Sequence, residues 1–312
     1  MRKLVLICAF AGALAAPAQA VIIQDSTWAE NGGTEENPAG GFGAHVALAN
    51  EPQFDAAVLL ERPNGMCSGT WIGNFDGAGY VLTAAHCLSV SYPRPPRPED
   101  LQGDWRTKGG GSYKTTANWP HPYSIMPHLG YDLVIVRLDR PVEDAGPQPL
   151  LYAGKAEMGR LGVMVGFGAR GIGSIGEEGR FDTESTDFAQ RKAAAEGVIE
   201  RVVDAVLPLP PQGSEEDAGN YLKTWLPNED GSVENPLVEG GPKVPATPLV
   251  GTMGSGDSGC GFWIQLDSGA WALAGVCSNN GDGRYGDEGA FARVGSLREW
   301  ITIIIPSATF AE

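Results

Sequence analysis

Long apolar runs are scarce in this 312-residue chain. Leu4 to Ala16 is such a run, and no later stretch approaches the roughly 20 apolar residues of a membrane-spanning helix. Cysteine is limited to five residues, none spaced C-x-x-C, so the common zinc and dithiol redox patterns are missing. Histidine is limited to four: His45, His86, His121 and His128. No metal or other cofactor is expected from that set. Positive charge is short as well, with Lys+Arg 22 against Asp+Glu 38 and a formal charge of −16. Such an acidic surface argues against nucleic acid and anionic membranes as partners. Lys and Arg are absent altogether between Lys3 and Arg62. No segment repeats with a period of about 20 to 50 residues, which excludes solenoids and propellers.

The N-terminus carries the marks of a targeting segment. Arg2 and Lys3 precede the apolar run, and Ala18-Gln19-Ala20 is a small-x-small cleavage site. Cleavage after Ala20 is expected, giving a secreted or periplasmic chain that starts at Val21 and does not stay inserted in a membrane. Four cysteines then remain: Cys67, Cys87, Cys260 and Cys277. An even number in an exported chain suggests two disulfides, and spacing alone leaves all the pairings open.

Val21 to Asn50 is rich in Gly, Asn, Glu and Pro and reads as a surface arm. Short apolar runs follow at short intervals, separated by Gly and Pro. They include Ala56 to Glu61, Met66 to Gly73, Tyr80 to Thr83, Ser112 to Trp119, Asp132 to Leu138 and Leu161 to Phe167. Arg191 to Leu207 mixes helical spacing with Val, Ile and a glycine, and strand near Ala195 to Val203 is the better reading. Gly261 to Leu266 and Trp271 to Cys277 flank the turn Asp267-Ser268-Gly269 as a hairpin. Ala290 to Val294 is another strand. Leu297, Trp300, Ile301, Ile304 and Ile305 follow helical spacing up to Pro306. The pattern predicts an all-β protein with one C-terminal helix. The expected divisions are a signal peptide (1–20), an arm (21–53), a main domain (54–305) and a tail (306–312).

The chemistry centres on Gly254-Ser255-Gly256-Asp257-Ser258-Gly259. A serine between glycines on a tight turn has an exposed hydroxyl, but that hydroxyl is a weak nucleophile until a base takes its proton. Candidate partners stand at Thr83-Ala84-Ala85-His86-Cys87 and at Tyr131-Asp132-Leu133-Val134-Ile135-Val136. His121 and His128 compete with His86 on composition but do not follow a strand into a cysteine.

These three stretches, in the order histidine, aspartate, serine, resemble the signatures of chymotrypsin/trypsin-like serine endopeptidases, in a bacterial-type exported form. Cys67-Ser68-Gly69-Thr70-Trp71-Ile72 and Gly289-Ala290-Phe291-Ala292-Arg293-Val294 resemble further strands of that family. The resemblance implies two six-stranded antiparallel β-barrels with a C-terminal helix, a polypeptide substrate and a monomer. It implies Ser258 as nucleophile, His86 as base, Asp132 as its orienting carboxylate, and the Gly256 and Ser258 N–H groups as the oxyanion hole. It places Thr252, Ser278, Asn280 and Gly289 around the primary specificity pocket. No acidic residue stands among them, so selection of Lys or Arg by charge is not expected. It also implies a Cys67–Cys87 disulfide, and an ion pair between Asp257 and a new N-terminal ammonium, here Val21.

Two departures stand out. The family usually has a cysteine where Gly254 stands, and Ser-Gly-Gly-Pro where this chain has Ser258-Gly259-Cys260-Gly261. Cys260 and Cys277 instead begin and end the hairpin around Asp267-Ser268-Gly269. Opposed residues of such a pair can reach bonding distance, so a Cys260–Cys277 disulfide is expected. The competing functional reading is a protease-like binding protein without turnover. A lipase or esterase is disfavoured, since its nucleophile elbow needs a glycine at Cys260 and the opposite residue order.

Overall fold

The computed structural model describes residues 21–63, 65–88, 103–124, 130–203 and 219–312. The expected signal peptide, the proline-rich stretch at 93–98 and His128 lie outside the described residues.

The segment read as a surface arm is folded. It holds β1 (Ile22–Ile23), α1 (Asp25–Glu30) and α2 (Gly43–Ala49). Val21, Ile22, Ile23 and Phe42 are at most 1% exposed, so the arm is part of the core rather than a covering. Its weak periodicity misled because short elements anchored by three or four apolar residues leave no repeating pattern.

The first lobe is a closed ring of β2 (Ala57–Arg62), β3 (Gly65–Phe75), β4 (Ala78–Thr83), β5 (Asp104–Arg106), β6 (Ser112–Pro120) and β7 (Val134–Leu138). The hydrogen-bonded order is β2-β3-β4-β7-β6-β5. Val81, Leu82, Val134, Ile135 and Val136 are fully buried, and Trp105 fills the interior. Continuous Val, Ile and Leu suit strands covered on both faces. β4 and β7 are paired antiparallel, Thr83 opposite Val134. That pairing brings the residues after β4 beside those before β7, so His86 and Asp132 meet at one rim.

The second lobe is a curled sheet. Its strands are β8 (Leu150–Tyr152), β9 (Leu161–Gly166), β12 (Ala193–Val198), β13 (Arg201–Val203), β14 (Tyr221–Trp225), β16 (Gly261–Gln265), β17 (Trp271–Asn280), β18 (Glu288–Arg293) and β19 (Phe310–Ala311). The main path runs β12-β9-β16-β17-β18-β14-β13, with β8 beside β17 and β19 beside β8. The segment expected as a tail (306–312) thus supplies a strand. A second, small sheet has the order β11-β10-β1-β15, where β10 is Gly171–Ile172, β11 is Gly176–Glu177 and β15 is Gly251–Thr252. Helix α3 (Phe188–Arg191) precedes β12, and α4 (Arg298–Ile304) follows a 3-10 turn at Gly295–Leu297. Leu297, Ile301 and Ile305 bury one face of this last turn-and-helix, while Ile303 is 74% exposed. The mostly β, two-lobed architecture is the chymotrypsin-like one expected from sequence.

Candidate active site

Asp132 is buried and follows the loop into β7. Its Oδ1 accepts the His86 backbone N–H at 3.1 Å. Its Oδ2 lies 2.6 Å from His86 Nδ1 and accepts the Ser278 hydroxyl at 2.9 Å. An ionised carboxylate only accepts, so the shared proton sits on Nδ1 and Nε2 is left as an acceptor. Tyr221 and Ser278 share a further hydrogen bond at 3.2 Å, which steadies Ser278. The His86 side chain is 46% exposed, so its outer nitrogen faces the open side of the site. Burial disfavours the imidazolium, but the hydrogen bond and charge of Asp132 outweigh it and raise His86 above its ordinary value of 6.5.

Ser258 reaches this site from the other lobe through its main chain. Ser68 N–H donates to Ser258 O at 2.9 Å. Its Oγ makes no hydrogen bond to His86 Nε2 in this structure; such bonds are often loose before substrate binds. Gly256 has φ +95°, a conformation that a side chain would strain. Gly259 tolerates no Cβ either, since one would lie 2.0 Å from Thr83 Oγ1 and 2.3 Å from Ser68 O. The two lobes therefore approach here backbone to backbone. Asp257 N–H is turned inward to Gly254 O at 3.0 Å, whereas the N–H groups of Gly256 and Ser258 have no acceptor among the described residues.

Asp257 is buried behind the turn. Its Oδ1 accepts Gly168 N–H at 2.8 Å, and its Oδ2 accepts Gly254 N–H at 2.9 Å and Val21 N–H at 3.2 Å. Burial pushes its carboxyl up to about 6, with those three hydrogen bonds opposing. Val21 is held at φ +74°, unusual for a β-branched residue. A Cβ on Gly254 would lie 2.2 Å from Ala169 O, so this backbone has no room for the family's cysteine.

The pocket residues lie together. Gly289 is paired with Thr224 on one side and Asn280 on the other. A Cβ on Gly289 would meet Thr224 Oγ1 at 2.7 Å and Met253 Cε at 3.2 Å. Thr252 pairs with Ile22 and is fully buried. The hydroxyls of Thr224 and Thr252 have no hydrogen-bond partner among the described residues. Ser255 N–H donates to Glu177 Oε1 at 2.6 Å at the rim.

Cys67 and Cys87 form the expected disulfide. Cys260 and Cys277 do not; both are free, buried thiols. Strand pairing does place them opposite one another, with Gly261 facing Val276 and Phe262 facing Gly275. However, Cys277 N–H bonds Cys260 O while Gly259 N–H bonds Cys277 O, so two residues oppose one. A bulge of this kind departs from the regular pairing on which the expected disulfide rested. Burial, and then the neighbouring Cys277, keeps the Cys260 proton on its sulfur.

Sequence reasoning missed Asp25. Its carboxylate accepts Ser174 N–H at 3.0 Å, the Ser174 hydroxyl and the Tyr285 hydroxyl at 2.8 Å. It thereby ties the β10–β11 hairpin to the loop before β18. No local pattern announces partners so distant in the chain. The other two histidines within the described residues serve structure. His121 stacks on Tyr131 with centroids 4.5 Å apart, and His45 Nδ1 lies 2.7 Å from Ala194 O.

Two β lobes with a His–Asp pair on one and a serine turn on the other define a chymotrypsin-like protein. The family model described as Trypsin matches residues 42–188, a stretch that includes His86 and Asp132 and ends before Ser258. No curated protein sequence matches the chain. That match, together with the two-lobed fold, supports a chymotrypsin/trypsin-like serine protease family for the chain.

Proposed function

We propose that this protein is an exported serine endopeptidase that works through an acyl-enzyme. The observation that carries the reading is the hydrogen-bonded string Ser278–Asp132–His86 facing a serine turn with two unengaged N–H groups. In this reading Ser258 Oγ attacks the scissile carbonyl and His86 Nε2 takes its proton. Asp132 keeps His86 in the tautomer that can do so and stabilises the imidazolium. The Gly256 and Ser258 N–H groups receive the oxyanion, each worth about 10²–10³ in rate. His86 then returns the proton to the leaving amine, and water repeats the cycle on the acyl-enzyme.

Specificity is read from the neutral pocket. Thr224, Thr252 and Met253 offer hydroxyls and a thioether but no carboxylate, so an uncharged side chain is expected there. Activation is read from Val21. Removal of residues 1–20 by signal peptidase would turn the Val21–Asp257 hydrogen bond into a buried ion pair, so export itself would switch the enzyme on. Treatment of the mature protein with a fluorophosphonate tests the core of this reading. A covalent adduct on Ser258 is expected; an unlabelled but folded protein would leave the non-catalytic binding reading in its place.

A further inference from the structure

The excursion between β14 and β15, residues 226–250, has no regular structure yet is held at several points. Gln24 donates to Pro227 O at 3.0 Å, Thr27 to Pro248 O at 2.5 Å, and Glu196 N–H to Leu249 O at 2.8 Å. Between it and the second lobe lies a cavity of about 240 Å³, walled by Val198, Trp225, Pro227, Pro242, Val244 and Pro245. That is below the roughly 300–1,000 Å³ of pockets for drug-sized ligands, and suits a single side chain. The proline walls are stiff and offer no N–H donor.

One carboxylate, Glu200, lines this apolar cavity. It is half-buried, and burial raises its carboxyl above the ordinary value despite hydrogen bonds from Trp225 and Asn235. Among the described residues no Lys, Arg or His nitrogen lies within ion-pair distance of it. The nearby lysines are engaged elsewhere, Lys223 with Glu288 at 2.6 Å and Lys243 with Glu234 at 2.5 Å. The excursion itself carries Glu229, Asp230, Glu234 and Glu239 against Lys243 alone. A half-buried carboxylate beside an indole, at the end of an apolar slot, is complementary to a cation on an aliphatic stem. An ammonium is a more compact head than a planar guanidinium, which suits a cavity of this size.

We propose that this cavity is a second recognition site, which takes the side chain of a lysine on a bound polypeptide. It is separate from the specificity pocket. Thr224 and Trp225 are consecutive in β14, so they face opposite sides of the sheet; Thr224 faces Gly289 and Trp225 faces the cavity. The alkylammonium chemistry stands on the cavity alone, while the polypeptide as carrier rests on the peptidase reading.

The test is calorimetric titration of the full-length mature Ser258→Ala protein with Nα-acetyl-lysine N-methylamide and with its norleucine counterpart. Saturable binding of the lysine compound is expected, at least tenfold tighter than the norleucine one. Glu200→Gln should reduce the lysine compound to the norleucine level, and Ala246→Trp at the exposed mouth should weaken both. Equal binding of the two compounds, or a lysine preference that survives Glu200→Gln, would overturn the proposal. In the active enzyme, Glu200→Gln should leave turnover of a short neutral substrate unchanged. It should lower kcat/KM about fivefold on a longer substrate with a lysine outside the cleaved pair. Loss of turnover on both substrates in the parent enzyme, with lysine binding intact, would count against the peptidase reading and not against the site.

Discussion

In the first lobe each of the six strands has two hydrogen-bonded neighbours, all drawn from residues 57–138. In the second lobe the main path ends at β12 and β13, and the pocket strand β15 is not on it. β15 belongs to the small sheet whose inner strand is β1, only two residues long, from the far end of the chain. The same contrast holds for cross-links. The first lobe has the Cys67–Cys87 disulfide beside His86, and the second has two free thiols beside Ser258. The His–Asp half of the site is thus built by a self-contained ring. The pocket and the serine turn are built by strands that need the N-terminus in place. The N-terminal processing proposed above would therefore act on one lobe and hardly on the other.

The strongest way to sharpen that contrast is to ask whether the lobes act as one catalytic unit. His86→Ala and Ser258→Ala should each lower kcat by about 10⁶, and the double variant should be no worse than either. Additive losses in peptide hydrolysis would mean that the lobes contribute separately. Next comes the N-terminus. A single residue retained ahead of Val21, or Asp257→Asn, removes one partner of a buried pair, at a cost of about 3–5 kcal/mol. A fall of about 10²–10³ in kcat/KM is expected, with the raised His86 titration, followed by NMR, left in place. A shift of that titration would show that the first lobe also depends on the arm.

Stability gives the third comparison. Reducing the Cys67–Cys87 bridge opens a loop with a sequence separation of 20 and should cost about 3 kcal/mol in denaturant unfolding. Cys277→Ala should cost about 1 kcal/mol, the loss of a small buried group. Equal sensitivity would erase the difference between the lobes. A smaller effect is expected from Asp25→Asn, which weakens charge-assisted bonds to Ser174 and Tyr285. KM should rise about tenfold with kcat nearly unchanged, because the pocket wall moves while the triad does not.

Acidity separates the lobes as well. In the proposed mechanism His86 acts as a base only when neutral, so the acid limb of kcat/KM should lie above pH 6.5, and Asp132→Asn should lower it. In an uncleaved chain Asp257 is raised from 3.8 to about 6, so the folded form holds that proton more tightly than the unfolded one. Its contribution to stability is therefore present below pH 3.8 and lost as pH climbs through about 6. A free Val21 ammonium should remove that loss. Denaturant midpoints of blocked and mature protein at pH 4 and pH 7 check the sign.

Much of this was legible in sequence where it was local. Tyr80 to Thr83 and Val134 to Leu138 read as buried strands because their apolar residues are consecutive. The site residues were readable because each stands in a short motif. What stayed hidden depends on tertiary placement. Val21, Ile22 and Ile23 gave no sign that they would enter a sheet between β10 and β15. The mirror symmetry of the hairpin placed Cys260 opposite Cys277, but gave no hint of the extra residue at Gly259 that also opposes Cys277. That pairing also slips by one at Trp263, which faces Leu273. Glu200 stands in no local motif, because its apolar surroundings come from Trp225, Pro227, Pro242 and Pro245, all later in the chain.

The φ of Val21 carries one more consequence. That torsion exists only while a carbonyl precedes the nitrogen. A β-branched residue held at +74° costs on the order of 1–3 kcal/mol. Once the Ala20–Val21 bond is cut, the angle has no fourth atom and the cost disappears, while the nitrogen gains a charge for Asp257. The seat is then shaped for a chain end rather than for a chain interior. Under the proposed activation it would act as a one-way catch, tolerating the uncut chain under tension and releasing that tension only when the cut is made at this one bond.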